Sequence, residues 1–437
     1  MTSEILIMNK DCAAIAADSA ATLNGPTPKI YEINKVFALS KKYPVGLMMY
    51  QNPLISGVPV ETIVKEYRKY GPEDELGTIE GYGERLLMFI ENGYPATDGG
   101  HIPIISEKLM EANVRRCLYS LWSEVIGEME EHIGNKVKDG LENESKEEPI
   151  RVSLSPNKMI ANIISERKKE ERTPRQIKKP YIKKVESGLN EIFAMEHFRE
   201  VMSKISYPIS AEPYLEDLKA IFQARLLSEE PFWDTTGIVI SGFGLNQTFP
   251  AYIEYNIDGC FWGKLKYSER SKGEITEDVP AIIKTFAQGD VAETFLRGMA
   301  PDIRKRIISE FRNMLAGVYS ASSIQAVDGI PITSEDTEKA KELVLGDFIS
   351  WLDMATYRAY EGPIVRSVAF LSKKEISQMA ESMINLTSLR RRVSADSVEN
   401  VGGPADVAII SKGDGLIWVN RKHYFDIALN PHYDGTK

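Results

Sequence analysis

The chain has 437 residues, 43% hydrophobic and 27% charged, enough apolar material for one large core or two ordinary ones. Its 53 Lys plus Arg against 63 Asp plus Glu give a formal charge of -10, which argues against a general nucleic-acid binder, since phosphate contacts need a basic surface. Cys12, Cys117 and Cys260 form no CxxC pair, the five histidines show no ligand spacing, and no apolar run reaches the roughly 18 residues of a membrane span.

Residues 3–8 form an apolar run closed by the turn cluster Asn9-Lys10-Asp11, and residues 12–17 form a second run ending at Asp18-Ser19. Together they predict a buried antiparallel hairpin. Residues 29–33 and 35–39 are short extended segments, and 43–50 is a strand closed by Gln51-Asn52-Pro53. Beyond Gly57 the period changes. Val60, Ile63, Val64 and Tyr67 make a helical stripe, and Leu86, Leu87, Phe89 and Ile90 make another that stops at Asn92-Gly93. The stretch 101–232 is helical in pattern and rich in Glu, Lys and Arg, with 135–149 read as a solvated linker and the basic run 172–184 as an exposed connector. Strands return at 237–242, 251–257 and 263–268. Helical pattern resumes from 291 to about 389, and a hairpin of 406–411 with 416–420 closes the chain across Lys412-Gly413-Asp414-Gly415. Strands, helices, a helical insert, strands, helices and strands make an α+β order, dividing into 1–100, 101–232 and 233–437.

Four pieces of this order carry chemistry. Thr2 opens the chain behind Met1, Ala16-Ala17-Asp18 ends the second strand, and Lys29-Ile30-Tyr31-Glu32-Ile33 starts another extended segment. Far downstream stands Gly402-Gly403-Pro404-Ala405-Asp406-Val407-Ala408-Ile409-Ile410. In this order the four resemble the motifs of proteasome β-subunits and bacterial proteasome-like peptidases, members of the Ntn hydrolases. The likeness covers the residues on either side of 101–232. It implies a four-layer αββα sandwich split by a large helical insertion, with Thr2 as an N-terminal nucleophile once Met1 is removed. It assigns Lys29 to favour loss of the hydroxyl proton, Asp18 to hold that lysine, and the Gln51 backbone N–H to the oxyanion.

The chemistry is consistent with the likeness. A threonine hydroxyl is a weak nucleophile until a base takes its proton, and an α-amino group with a pKa of about 7.7–8.0 on the same residue can serve. There are departures. Gln51 stands where the family has glycine, with Tyr50 before it, and no Gly-Ser-Gly loop is found near residues 281–284. Val398 and Val401 replace a supporting Asp and Ser, leaving Glu399 or Asp396 as a shifted acid. Ser241-Gly242-Phe243-Gly244 lacks the leading glycine of a nucleophile elbow.

The expectation is a cytoplasmic threonine-type amidohydrolase, cleaving peptide bonds, that needs no metal or organic cofactor and assembles as a homo-oligomer. Its opening residues show no signal-peptide pattern. Two alternatives stay open. One is a catalytically inactive assembly or scaffold protein that binds through the helical insert. The other is a hydrolase of a small-molecule amide, for which Tyr50 and a capping insert would suit a closed pocket.

Overall fold

The structure, a computed structural model, describes residues 3–23, 29–72, 74–96, 100–142, 156–170, 179–195, 210–232, 235–287, 289–321, 326–327, 330–331, 334–393 and 403–422. Its main strands are β1 (Ser3–Asn9), β2 (Ala13–Ala17), β3 (Ala20–Leu23), β4 (Lys29–Glu32), β5 (Val36–Ala38), β6 (Val45–Gln51), β7 (Thr236–Gly242), β8 (Ala251–Phe261), β9 (Lys264–Glu274), β10 (Ala281–Ala287), β11 (Asp406–Ser411) and β12 (Gly415–Asn420). They form two five-stranded antiparallel sheets, β10-β1-β2-β11-β12 and β9-β8-β7-β6-β5, with β3 and β4 as a separate ribbon.

The hairpin read at residues 3–17 is β1 and β2. Asn9 makes its turn, accepting at Oδ1 from the backbone N–H groups of Asp11 (2.9 Å) and Cys12 (3.2 Å). Alternation along β1 sends Leu6 and Met8 into the core between the sheets and Ile5 and Ile7 into the core beneath the outer helices. Strand β10 was not among the expected elements. Its middle holds Lys284 within Ile282-Ile283-Lys284-Thr285, which breaks the clean apolar alternation of a strand, yet it pairs with β1 along its whole length. Strands β8 and β9 also run longer than read, each through a register shift that lets the pair twist and continue.

The helices are α1 (Val60–Tyr70), α2 (Ile79–Asn92), α3 (Glu107–Glu142), α4 (Pro156–Lys169), α5 (Lys179–Ala194), α6 (Leu215–Leu226), α7 (Asp290–Arg297), α8 (Pro301–Ala321), α9 (Ser334–Thr356), α10 (Gly362–Val368) and α11 (Lys373–Val393). The N-terminal half of the linker read at 135–149 is instead helix, because its Glu, Lys and Leu residues are good helix formers and α3 carries on through Glu142. Residues 143–149 lie outside the described residues.

Three hydrophobic cores hold these parts together. One lies between the sheets, through Leu6, Met8, Ile15, Met48, Val239 and Ile410. A second joins the outer face of β1, β2 and β11 to α11. The third runs from the outer face of β6, β7 and β8 through α1 and α2 into α3 to α6, so the helices of 101–232 share a continuous core with the second sheet. Among the described residues, no helix is long and apolar enough to cross a membrane.

Candidate active site

One group of buried polar residues, Ser3, Asp18, Ser19 and Lys35, gathers at the Ser3 end of β1. The Ser3 N–H donates to Asp18 Oδ1 (2.9 Å) and the Asp18 N–H donates to the Ser3 carbonyl (3.1 Å), so the β1–β2 ladder ends on a side chain. The same Oδ1 accepts from Lys35 Nζ at 2.7 Å, and Lys35 Nζ also donates to the Ala20 carbonyl at 2.6 Å. Both side chains of this ion pair are sealed from solvent, at 1% and 0% exposure. A buried pair of this kind stands only with close geometry and added hydrogen bonds, and both are present.

Lys35 reaches Asp18 because it immediately precedes β5 and its carbonyl accepts from the Met49 N–H (2.9 Å), which locks it beside β6. Two residues further on, about 7 Å along an extended strand, β6 ends at Gln51. Gln51 is exposed and has φ 63, in the left-handed region, and its Oε1 accepts from Thr235 Oγ1 (3.0 Å). Ala287, paired with Ser3 at the end of β10, has φ 58. Non-glycine residues pay on the order of 1 kcal/mol or more for this conformation, and such strain gathers at functional sites.

A second polar cluster lies between the sheets beside the first. The Tyr50 hydroxyl donates to Glu254 Oε1 (2.6 Å), Ser271 Oγ donates to Glu254 Oε2 (2.5 Å), and Lys284 Nζ donates to the same Oε2 (3.1 Å). Burial pushes the Glu254 carboxyl upward, but the hydrogen bonds from Ser271, Tyr50 and Lys284 outweigh it and hold the group below its usual range. Burial, and then donation to Glu254, raise the Tyr50 hydroxyl well above the usual tyrosine range. Tyr50 points inward and stacks on Phe286, with ring centroids 6.0 Å apart, rather than into a surface groove. Lys422 approaches from the end of β12, donating Nζ to the Ile33 carbonyl, and burial lowers its pKa, with Asp406 opposing and Lys35 reinforcing the shift.

The structure thus brings Asp18 and Gln51 to one end of the sandwich. Thr2, Asp396 and Glu399 lie outside the described residues. Lys29 begins β4, opposite Leu23, and its side chain also lies outside them. The lysine on Asp18 is Lys35, which sequence reasoning passed over. Its signal was a charge at the head of the apolar segment 35–39, a position that the fold had to bury. Among the described residues, no group of three His, Cys, Asp or Glu side chains is arranged to hold a metal ion.

No protein-family model and no curated protein matches the chain. Among solved structures it is similar to an Anbu (Gly-1) mutant from Hyphomicrobium sp. strain MC1, at 9% identity over 100% of this chain and 93% of that one, with a TM-score of 0.29. It is similar too to Anbu (ancestral beta-subunit) from Yersinia bercovieri, at 10% identity over 99% of this chain and 93% of that one, with a TM-score of 0.27. A helical assembly of the Anbu complex from Pseudomonas aeruginosa gives 9% identity over 99% and 92%, with a TM-score of 0.23. Superpositions this loose carry no argument about fold or function. The resemblance to proteasome β-subunits and bacterial proteasome-like peptidases read from the motifs does not stand, since no family model or curated protein matches the chain. The physical reason is that Ala16-Ala17 and Val407-Ala408-Ile409-Ile410 are what any buried strand carries, and the segment Lys29-Ile30-Tyr31-Glu32-Ile33 marks Lys29 while Asp18 holds Lys35.

Proposed function

We propose that the chain is an amide hydrolase, acting on peptide bonds through the hydroxyl of Thr2 exposed as the first residue, with Lys35 and Asp18 as its charged pair. The observation that carries this reading is the sealed Asp18–Lys35 pair bonded to the backbone of Ser3, the neighbour of Thr2. The two facing sheets and their outer helices are read as a four-layer αββα sandwich, with residues 101–232 inserted as a helical segment between its halves.

An ammonium has three donors, and Asp18 and Ala20 take two of those on Lys35. The third, directed at the Thr2 hydroxyl, would favour loss of its proton to the α-amine. The role requires the Thr2 side chain to take the face of Glu4, Leu6 and Met8, as alternation along an extended strand gives. Attack on the carbonyl carbon then forms an oxyanion that the strained Gln51 backbone N–H would receive, and collapse, with the α-ammonium giving its proton to the leaving nitrogen, expels the amine to leave an ester on Thr2 and a neutral α-amine. Water, deprotonated by the same α-amine, hydrolyses that ester and restores the hydroxyl.

The test is intact-mass analysis of the purified chain with and without a β-lactone, beside Thr2→Ala. The expected result is loss of Met1 and one adduct that Thr2→Ala abolishes, formed faster as pH rises through about 7.7–8.0, where the α-amine becomes neutral. An adduct that persists in Thr2→Ala, or none on the wild-type chain, sinks the reading.

One further observation favours self-assembly beside catalysis. Helices α8 and α9 expose Met314, Val318, Leu343, Trp351 and Met354, each more than half exposed, while α8 is rich in Arg and Lys and α9 in Asp and Glu. A second copy turned about a two-fold axis would set the basic helix on the acidic one and cover the apolar residues. Sedimentation velocity checks it: Trp351→Asp should yield monomers, and a wild-type chain already monomeric at micromolar concentration sinks it.

A further inference from the structure

Glu4 is a charged residue type inside an interior strand of its sheet. It is 1% exposed, and among the described residues neither carboxyl oxygen has a hydrogen-bond partner. It alternates with Ile5 and shares the inter-sheet face of Leu6 and Met8, flanked by Ala17 on β2 and Phe286 on β10. Its chain neighbour Ser3 bonds Asp18, so the Glu4 carboxyl lies beside the Asp18–Lys35 pair. The titratable groups that face it are Asp18, Lys35 and, from β6, Tyr50. Glu254 on β8 and Lys284 on β10 stand behind Tyr50 and neutralise one another.

Asp18 and Lys35 are neutral as a unit. A second carboxylate in the same sealed space would leave one uncompensated negative charge, which a low-dielectric interior strongly disfavours. Burial is the largest influence on Glu4 and raises its pKa well above the ordinary carboxyl value; Lys35 opposes and Asp18 reinforces it. A carboxylate here would also offset the Lys35 charge at any hydroxyl that the lysine serves.

We propose that Glu4 is a positioning residue held as the neutral acid, and that its proton keeps the Lys35 charge directed at the nucleophile. This rests on the hydrolase reading. When Glu4 loses its proton, Lys35 faces two carboxylates and activation of the hydroxyl falls.

Two measurements on the full-length chain test it. The first needs no activity: infrared difference spectra of wild type against Glu4→Gln should show the carbonyl stretch of a protonated carboxylic acid, which fades as pH is raised. The second is the rate of lactone adduct formation against pH. Wild type should lose rate as that carbonyl fades, and Glu4→Gln should not, so that one pH unit above the wild-type fall the variant reacts on the order of tenfold faster. Stability should follow the same sign. A pKa raised on folding gives a contribution present in full below the unfolded value and lost as pH rises through the folded one, so Glu4→Gln is the more stable chain on the alkaline side. A merely structural Glu4 would change stability and leave the rate profile of the folded chain unmoved.

Should Glu4→Gln not fold, the wild type alone decides, because its carbonyl titration and its loss of rate must coincide. Absence of the carbonyl, or superimposable rate profiles with an adduct formed, overturns the role of Glu4 alone. A carbonyl present with no adduct at any pH overturns the hydrolase reading and this role with it.

Discussion

Two lysines are buried in this molecule to the same degree, Lys35 at 1% and Lys266 at 2% exposure, and they are held in different ways. Lys266, on β9, donates to the carbonyls of Arg225 (2.5 Å), Ser228 (3.1 Å) and Glu230 (2.5 Å), with Asp258 at 4.0 Å. It spends its donors on the chain that leaves α6, and so pins the end of the helical segment to the second sheet. Lys35 divides its contacts between a carboxylate and one carbonyl, at the end of the sandwich where Gln51 and Ala287 are strained. Burial alone does not distinguish a structural lysine from one placed for chemistry. The difference in donor saturation and the company of strained backbone are what single out Lys35 for the role proposed above.

The largest effect that would break this contrast is on reactivity. Asp18→Asn combined with Lys35→Met removes both charges together, which leaves folding stability within about 1–2 kcal/mol because no lone charge remains buried. Adduct formation should nevertheless fall by about 100-fold or more. Intact-mass time courses beside urea unfolding check both halves, and an unchanged rate would make Lys35 as structural as Lys266. Next in size, Lys266→Met should cost about 3–5 kcal/mol, since its carbonyl partners lose their donor, while the rate per folded molecule holds. Tyr50→Phe should cost roughly 1–2 kcal/mol through the lost bond to Glu254, read from the urea midpoint. Smallest is Gln51→Gly: relief of the positive φ offsets the lost Thr235 bond, leaving stability within about 0.5–1 kcal/mol and the rate unchanged, because a backbone N–H serves in either case.

Much of the scaffold was legible because its strands are short, apolar and punctuated by turn residues. The β1–β2 hairpin, the helical stripe on α1 and the β11–β12 hairpin all follow from period and turn chemistry. Strand β10 was not, since Lys284 interrupts its pattern and its partner β1 is remote in sequence. Asp18 was legible as a polar residue closing an apolar strand. Lys35 and Glu4 were hidden for one reason: each is a single charge inside a run read as apolar, and the run drew attention away from it. Among buried apolar residues a charge is the exception, and the proposed site is built on two such exceptions, Glu4 within β1 and Lys35 just before β5.

The pairing of β1 has a consequence for the order of events during synthesis. This strand leaves the ribosome long before the strand that covers it, since Ser3 pairs with Ala287 and Asn9 with Ala281. At about 5–20 residues per second, roughly a quarter of a minute to a minute passes before that edge of β1 can be covered. Throughout that interval the strand is an open apolar edge, available to trimming enzymes and chaperones alike. The residues proposed as the site next to Ser3 would thus sit on an extended peptide well before the sheet that holds them is complete.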